Sequence, residues 1–276
     1  MLRSTKDLEN YTISATDGEI GHVKDLYFDD DSWVVRYLVV DTGPWLSSRL
    51  VLISPISVRQ VDTLEESLSV ALTKERVKNS PGIDTDKPVS RQKEEQTLGY
   101  YGYPYYWGST GLWDGGLYPY AMDPAFTGYG LERMDRVARE REDAANLRAE
   151  QARHRNDDPH LRSCNAVKGY HIVATDGEIG HVAGYLIDDE TWAVRYLVVD
   201  TSNWWVGHKM LVAPEWITGV HWSNETVSVG LTRASMQAAP HYDPSVVWSR
   251  ELDQNLYGHY GRSRYWADSD ILETSK

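Results

Sequence analysis

The sequence predicts a mainly β protein: two small antiparallel β-barrels in tandem, each with a short C-terminal helix, joined by a partly helical linker. The first observation is a duplication, because Thr16-Asp-Gly-Glu-Ile-Gly-His-Val23 returns as Thr175-Asp-Gly-Glu-Ile-Gly-His-Val182 at a shift of 159 residues. The run 33–42 returns as 192–201 at the same shift. The second observation is that each copy consists of short runs rich in valine, isoleucine and tyrosine, separated by turn residues. The third is a single short helical pattern near the end of each copy.

The first half of each copy contains a hairpin. An Asp-Gly pair flanked by strand-like runs predicts a tight turn at 16–19, followed by a strand over 20–28. A polar turn at 29–31 leads into a strand over 33–42. Both faces of that strand are apolar, so we expect it to be buried on both sides.

The second half of the copy follows a Gly-Pro break at 43–44. Two short strands, 50–53 and 56–61, bracket Pro55, and a third covers 68–72. A short helix over 73–79 has Thr73 as its N-cap and stops before Pro81. Short strands with close turns and one small helix are typical of a compact antiparallel barrel, whose closure removes exposed sheet edges.

The duplication also sets the predicted domain boundaries, because matches at the same shift continue as far as Trp107 and Trp266. After 108–130, which is rich in glycine and tyrosine, residues 131–155 contain helix formers and no glycine or proline, which predicts a solvated helix or a semi-rigid spacer. We therefore predict a first barrel at 1–84, its aromatic C-terminal extension at 85–107, an unduplicated linker at 108–160, a second barrel at 161–243, and its aromatic extension and tail at 244–276.

Composition limits the function. With 28 Lys and Arg against 41 Asp and Glu, the formal net charge of the 276-residue chain is −13, which disfavours direct contact with nucleic acid. A single cysteine excludes an intrachain disulfide framework. The first ten residues have no apolar signal region, and no run approaches the length of a membrane span, so we expect a cytoplasmic protein without a transmembrane segment.

The pattern as a whole resembles the PRC-barrel family. The residues that carry the resemblance are the Asp-Gly-Glu turn, the Tyr-Leu-Val-Val-Asp-Thr strand at 37–42 and 196–201, the strand pair around Pro55 and the Leu-Thr-Lys-Glu helix start at 72–75. The resemblance covers about 80 residues in each copy and implies a fold similar to the cytoplasmic domain of the photosynthetic reaction-centre H subunit and to the C-terminal domain of a ribosome-maturation factor. It implies an adaptor or assembly module of bacterial type, and it brings no catalytic residues.

The aromatic extensions are the candidate partner-binding residues. Two interpretations are open: a clasp that packs its rings on a barrel, or an exposed arm that grips a partner. The residues that recur in both extensions are Tyr101, Tyr106, Trp107, Tyr260, Tyr265 and Trp266.

Other polar residues suggest weaker sites. His22 and His181 hold the same position in the two copies and are candidates for sensing pH, although an exposed strand residue explains them equally well. The acidic turns at 29–31 and 188–190 lack the spacing of a calcium loop, so we expect solvated turns and no metal. Asp17 and Glu19 could be drawn as an acid/base pair, but the turn itself explains the Asp.

Arg36 and Arg195 interrupt the apolar strand of each copy. An uncompensated buried charge is costly, so we expect a structural ion pair, with Glu19 and Glu178 as candidate partners. Capture of an anion is the alternative.

These observations predict a non-catalytic protein that works by binding, without a cofactor, as a covalent pseudo-dimer of two barrels. We expect protein partners and pairing of the barrels within the chain, while further homo-oligomerisation stays open. Two other roles stay open: a peripheral subunit or assembly factor of a photosynthetic reaction-centre-like electron-transfer complex, and a ribosome or RNA-processing accessory protein.

Overall fold

The computed structural model describes residues 1–83, 89, 91–106, 160–201 and 208–262. The chain divides into two compact units. Unit 1 contains the described residues among Met1, Arg3–Ala166 and Ile187–Val194. Unit 2 contains those among Leu2, Val167–Leu186 and Arg195–Lys276.

A short strand β1 (Leu2–Ser4) and a one-turn helix α1 (Thr5–Leu8) open the chain. The sheet of unit 1 has seven strands in the order β5-β4-β3-β2-β7-β6, with β8 paired to β3. These strands are β2 (Thr12–Ala15), β3 (Gly18–Asp29), β4 (Val34–Asp41), β5 (Leu50–Ile53), β6 (Val58–Asp62), β7 (Ser67–Val70) and β8 (Leu161–Ser163).

The mainly β prediction is confirmed, with two local differences. The sheet is not purely antiparallel, because β2 pairs with β7 in parallel. Trp33 does not begin the second long strand, since it lies in the turn with a φ of 55°. The strand that follows is buried over its first seven residues, as its two apolar faces predict.

A short kinked connection joins the two outer strands of the unit 1 sheet. Strands β5 and β6 lie at opposite ends of the strand order, yet they follow one another in the chain. Only Ser54 and a single 3-10 turn, Pro55–Ser57, separate them, and the Ser54 side chain accepts a hydrogen bond from Ile56 N at 3.4 Å. The chain therefore passes directly from one outer strand to the other, although no pairing joins β5 to β6 among the described strands.

Two helices follow the strands. Helix α2 (Lys74–Lys78) begins at the predicted cap, where Thr73 Oγ1 accepts a hydrogen bond from Arg76 N at 3.2 Å. Helix α3 (Arg91–Tyr101) lies in the extension.

The second sequence copy repeats this order in unit 2. Its sheet runs β12-β11-β10-β9-β14-β13, with β1 as the seventh strand. After β8, the elements of the second copy are helix α4 (Cys164–Val167), strands β9 (His171–Ala174), β10 (Gly177–Asp188), β11 (Val194–Asp200), β12 (Lys209–Val212), β13 (Ile217–His221) and β14 (Thr226–Val229), and helices α5 (Arg233–Gln237) and α6 (Arg250–Tyr260).

Unit 1 is not made of the first sequence copy alone. Strand β8, the first strand of the second copy, pairs antiparallel with β3 through Tyr27↔Ser163, Phe28↔Arg162 and Asp29↔Leu161. Residues 187–194, the turn of the second copy, also belong to unit 1, where Val35 N donates to Trp192 O at 2.8 Å and Val194 N donates to Trp33 O at 2.7 Å. The compact units therefore differ from the repeat boundaries.

None of the described helices combines the length and apolar character that spanning a bilayer requires.

The interior of unit 1 is apolar, and one buried cluster joins the sheet to the extension. It contains Tyr27, Tyr37, Val39, Leu52, Ile56, Val89, Leu98, Tyr106 and Leu161.

Candidate binding surface

The aromatic residues of the first extension pack inward. Tyr101 and Tyr106 are 3% and 7% exposed, so these two rings offer no surface to a partner in this conformation. Burial raises the pKa of the Tyr101 phenol to about 12. For these two side chains the structure matches the clasp interpretation rather than the exposed arm.

The second extension is described only in part. Tyr260 is half-buried, and its ring centroid lies 4.8 Å from that of Trp216, so it also packs on its own unit. Burial raises its pKa above the ordinary value. Trp107, Tyr265 and Trp266 lie outside the described residues.

A buried carboxylate holds each extension. In unit 1, Glu94 on α3 is 2% exposed and accepts a hydrogen bond from the Tyr106 hydroxyl. In unit 2, Asp253 on α6 holds the equivalent position and accepts from Tyr196 Oη and from Trp248 Nε1, both at 2.6 Å. The prediction from the sequence missed these two acids. The available signal was an acidic residue recurring at the same shift inside an otherwise polar helix.

Arg36 contributes to the same arrangement in unit 1. The residue is 3% exposed, its guanidinium carbon lies 4.3 Å from the Tyr106 ring centroid, and its Nη2 donates to Ser32 Oγ at 2.9 Å. Burial lowers the pKa of this guanidinium, while the charge of Asp29 opposes the shift. The suggested partner Glu19 is instead exposed, 3.8 Å from His22 Nε2.

The suggested partner of Arg195, Glu178, also has another contact. Its Oε1 lies 2.8 Å from His171 Nδ1. The two glutamates of the repeated turn therefore lie beside histidines.

The acidic turns are not simply solvated. Asp30 is 8% exposed in its side chain and accepts from Arg162 Nε at 2.8 Å, with His160 Nδ1 at 3.1 Å. Burial raises the pKa of Asp30, and Arg162 and His160 oppose that shift. With Asp31 and His160 it forms the one group of three potential metal ligands among the described residues. The guanidinium of Arg162 already neutralises Asp30, so the group is explained as an ion-pair network.

The equivalent turn of the second copy has the same chemistry. Asp189 binds Arg3 Nε and the Met1 ammonium, each at 2.5 Å. Arg3 and Arg162 are themselves equivalent in the repeat, so unit 1 contains two reciprocal contacts in which the arginine of one copy binds the turn of the other.

The two histidines predicted to sense pH, His22 and His181, have different surroundings. His22 is exposed, with Nδ1 3.4 Å from Thr12 Oγ1. His181 is half-buried in β10, opposite His171 of β9. The two histidines belong to different units, and their use in sensing pH stays a prediction.

The aspartate of the repeated turn has a structural role. Asp17 Oδ1 accepts from Lys74 N at 2.8 Å, and Asp176 Oδ1 accepts from Arg233 N at 2.7 Å. Each aspartate therefore ties its hairpin turn to the first residue of a helix, where a negative charge is favourable. This contact accounts for Asp17 and Asp176 without an acid/base role.

A groove in unit 1 is a candidate surface for a partner. It encloses about 550 Å³ and runs between strand β6 and the turn 189–192. Of the described strands, only β7 pairs with β6, so the other edge of β6 has no strand partner among them, and residues 58–61 of β6 line the groove. Its lining combines apolar side chains with a few charged ones: Pro55, Ile56, Val58, Arg59, Gln60, Val61, Asp189, Glu190, Thr191 and Trp192.

Comparison with known proteins assigns the first copy. No curated protein matches the chain. The PRC-barrel domain family matches residues 3–77, which cover strands β2 to β7 and most of helix α2. The first sequence copy of this chain is therefore a PRC-barrel domain, as its strand pattern predicts.

Proposed function

We propose that the chain is a non-catalytic protein-binding module, built as a covalent pair of PRC-barrel copies, that receives an extended segment of a partner protein in the groove beside β6. The observation that carries the proposal is the free edge of β6 within a groove of peptide size. An edge strand presents main-chain donors and acceptors, and an extended peptide can pair with them while its side chains enter adjacent pockets.

The lining indicates the chemistry of the segment. Ile56 and Trp192 are buried and form apolar parts of the floor, so apolar side chains should alternate along the bound peptide. Arg59 and Glu190 are exposed at the groove and have opposite charge. A partner segment with one acidic and one basic residue beside its apolar positions would complement them.

The duplication gives the groove its second wall. Strand β6 comes from the first copy, whereas residues 189–192 come from the second, and both belong to unit 1. Covalent linkage keeps the second copy at a high effective concentration, so both walls are always supplied together. This supports a pair held in one chain as the working form.

A binding role also agrees with the contacts of the polar residues in the described ranges. Asp17, Glu94, Asp30 and Asp253 all hold backbone, aromatic or cationic groups of the fold. Membership of the first copy in the PRC-barrel family supports a non-catalytic module, since such domains often mediate protein interactions.

The test is site-specific photo-crosslinking in cells, with a crosslinking amino acid at Arg59. The matched control carries it at Thr218, the equivalent and likewise exposed position of β13 in the second copy. We expect one protein to be captured from position 59 and not from 218. Mass spectrometry of the product then separates a membrane electron-transfer partner from a ribosomal one.

A second test reverses a charge on the opposite wall of the groove. Glu190→Arg changes an exposed side chain, so it should leave the circular dichroism spectrum intact and weaken capture at position 59 by several fold. Equal capture from positions 59 and 218, or capture that Glu190→Arg does not change, would overturn the groove as the binding surface.

A further inference from the structure

Two histidines in unit 2 stand close together at a place where the first copy has none. His208 Nδ1 and His241 Nδ1 lie 3.1 Å apart, and the two ring centroids are separated by 4.2 Å. His208 is half-buried and His241 is exposed, so solvent reaches the pair. His208 directly precedes strand β12, and His241 lies in the loop after helix α5.

The first copy shows that the fold does not need histidines here. The equivalent residues are Arg49 and Gly82. Arg49 donates through Nη1 to Lys78 O at 3.0 Å and through Nη2 to Ser80 O, which fastens the start of the strand to the end of helix α2. A Cβ atom at residue 82 would lie 2.6 Å from Arg49 Nε, so a side chain there would require the arginine to shift.

The backbone around the two positions is the same in both copies. Thr42 N donates to Arg49 O at 3.1 Å, and Thr201 N donates to His208 O at 3.2 Å. Ile83 N donates to Leu50 O at 3.2 Å, and Tyr242 N donates to Lys209 O at 2.8 Å. The second copy therefore keeps the scaffold and replaces one arginine and one glycine by two facing imidazoles.

We propose that His208 and His241 form a two-histidine binding site for a divalent transition metal ion of the zinc, nickel or copper class. Imidazole nitrogens bind these ions at about 2.0–2.1 Å, so two adjacent ligands of one ion lie about 2.9–3.4 Å apart. The Nδ1 to Nδ1 distance of 3.1 Å falls within that interval. The ion would join the start of β12 to the loop after α5, whereas in the first copy Arg49 joins the start of β5 to the end of helix α2.

The two histidines are the ligands that the protein supplies from the described residues. The one group of three potential ligands there lies elsewhere, at Asp30, Asp31 and His160. Water molecules occupy the remaining coordination positions of the ion, so these positions stay accessible to solvent. We therefore expect an ion that exchanges rather than a permanently bound one.

The test uses the full-length chain without a polyhistidine tag, freed of metal by a chelator, with Zn²⁺ alone as the probe. Isothermal titration calorimetry at about pH 7.5, where an ordinary imidazole is neutral, should give one ion per chain. Thermal unfolding with excess Zn²⁺ should shift upward, because an ion that binds only the folded state stabilises it.

The matched variant is His208→Arg with His241→Gly, which recreates the arrangement of the first copy. This variant should fold, keep its melting temperature without metal and bind Zn²⁺ at least about ten-fold more weakly. Histidine ring signals in nitrogen-correlated NMR should shift with Zn²⁺ at residues 208 and 241. Unchanged stoichiometry and affinity in the variant, or ring signals that Zn²⁺ leaves in place, would mean that the contact is an imidazole hydrogen bond only and would overturn the site.

Discussion

At the residue scale, the buried carboxylates of the extensions connect sequence to packing. Asp253 is 4% exposed and satisfies two buried donors, one on β11 and one in the segment before α6. A charged acceptor of this kind is far more costly to remove than to keep, because its donors would stay buried without partners. The extension is therefore held by a specific polar contact as well as by apolar packing.

Replacing Asp253 by alanine should lower the free energy of unfolding by about 3 kcal/mol, since two buried donors lose their acceptor. Asp253→Asn keeps one oxygen acceptor at the same position, and we expect a loss of only about 1 kcal/mol. Denaturant unfolding followed by tryptophan fluorescence measures both, because Trp248 is one of the donors. Equal losses in the two variants would contradict a role for the acceptor oxygen.

The buried tyrosines predict a loss of stability at alkaline pH. The pKa of Tyr101 is raised to about 12, from the ordinary value of 10.0, by burial. The unfolded chain therefore releases this proton first, so the contribution of Tyr101 to the free energy of unfolding is constant below about pH 10 and is lost between about pH 10 and 12. Tyr101 should contribute roughly 2–3 kcal/mol to that fall.

The comparison variant is Tyr101→Phe, which removes the phenol and leaves the ring. Its free energy of unfolding, measured by denaturant titration at several alkaline pH values, should fall less steeply than that of the parent chain. Tyr27 has a similarly raised pKa, of about 12, so part of the slope must persist. An unchanged slope would show that Tyr101 ionises equally in both states.

At the element scale, the repeated Gly-His step marks the place where two long strands come into close contact. A Cβ atom at Gly180 would lie 2.2 Å from the carbonyl oxygen of Asp200, and one at Gly21 would lie 2.0 Å from that of Asp41. The register of the hairpin shifts at the same place, between Glu178 and Gly180. The glycine is thus required by the approach of a neighbouring backbone, which cannot move away as a flexible side chain can.

Gly180→Ala should therefore cost about 3 kcal/mol or more in the free energy of unfolding. Gly258→Ala is the matched control in the same unit, because that glycine lies inside α6 with open space at its Cβ position. The control should gain about 0.5–1 kcal/mol, since alanine is the better helix former. Thermal unfolding of both variants tests this, and a stable Gly180→Ala chain would contradict the close approach.

Several elements could be predicted from the sequence because their signals are local. The Asp-Gly turn, the strand with two apolar faces and the Thr73 cap each depend on residues next to one another in the chain. The same reasoning missed α1, which is a single turn, and placed Trp33 in a strand although its φ is 55°. The left-handed conformation of this tryptophan is set by the turn that surrounds it, and no sequence pattern predicts it.

At the scale of the whole molecule, the repeat predicted two equivalent modules but not how unit 1 is composed. Strand β8 and residues 187–194 come from the second copy, yet they complete the sheet and one wall of the groove in unit 1. Each copy carries the same pattern, so the sequence alone offers no signal for which copy supplies a given strand. The exchange is seen in the pairing of β8 with β3 and in the paired contacts of Arg162 with Asp30 and of Arg3 with Asp189.

The exchange predicts how the chain behaves when it is cut. We expect that a specific protease site inserted between residues 107 and 159 can be cleaved without separating the two fragments, because β8 from the second fragment pairs with β3 of the first. Size-exclusion chromatography at micromolar concentration should give a single species of the uncut size. Arg162→Glu places a second negative charge beside Asp30, whose side chain is 8% exposed, and so weakens the association of the two fragments. As the sample is diluted, the fragments of the cut variant should therefore separate at a higher concentration than those of the cut parent. Fragments of the parent that elute apart at every concentration would contradict the exchange, and with it the proposal that both copies build one groove.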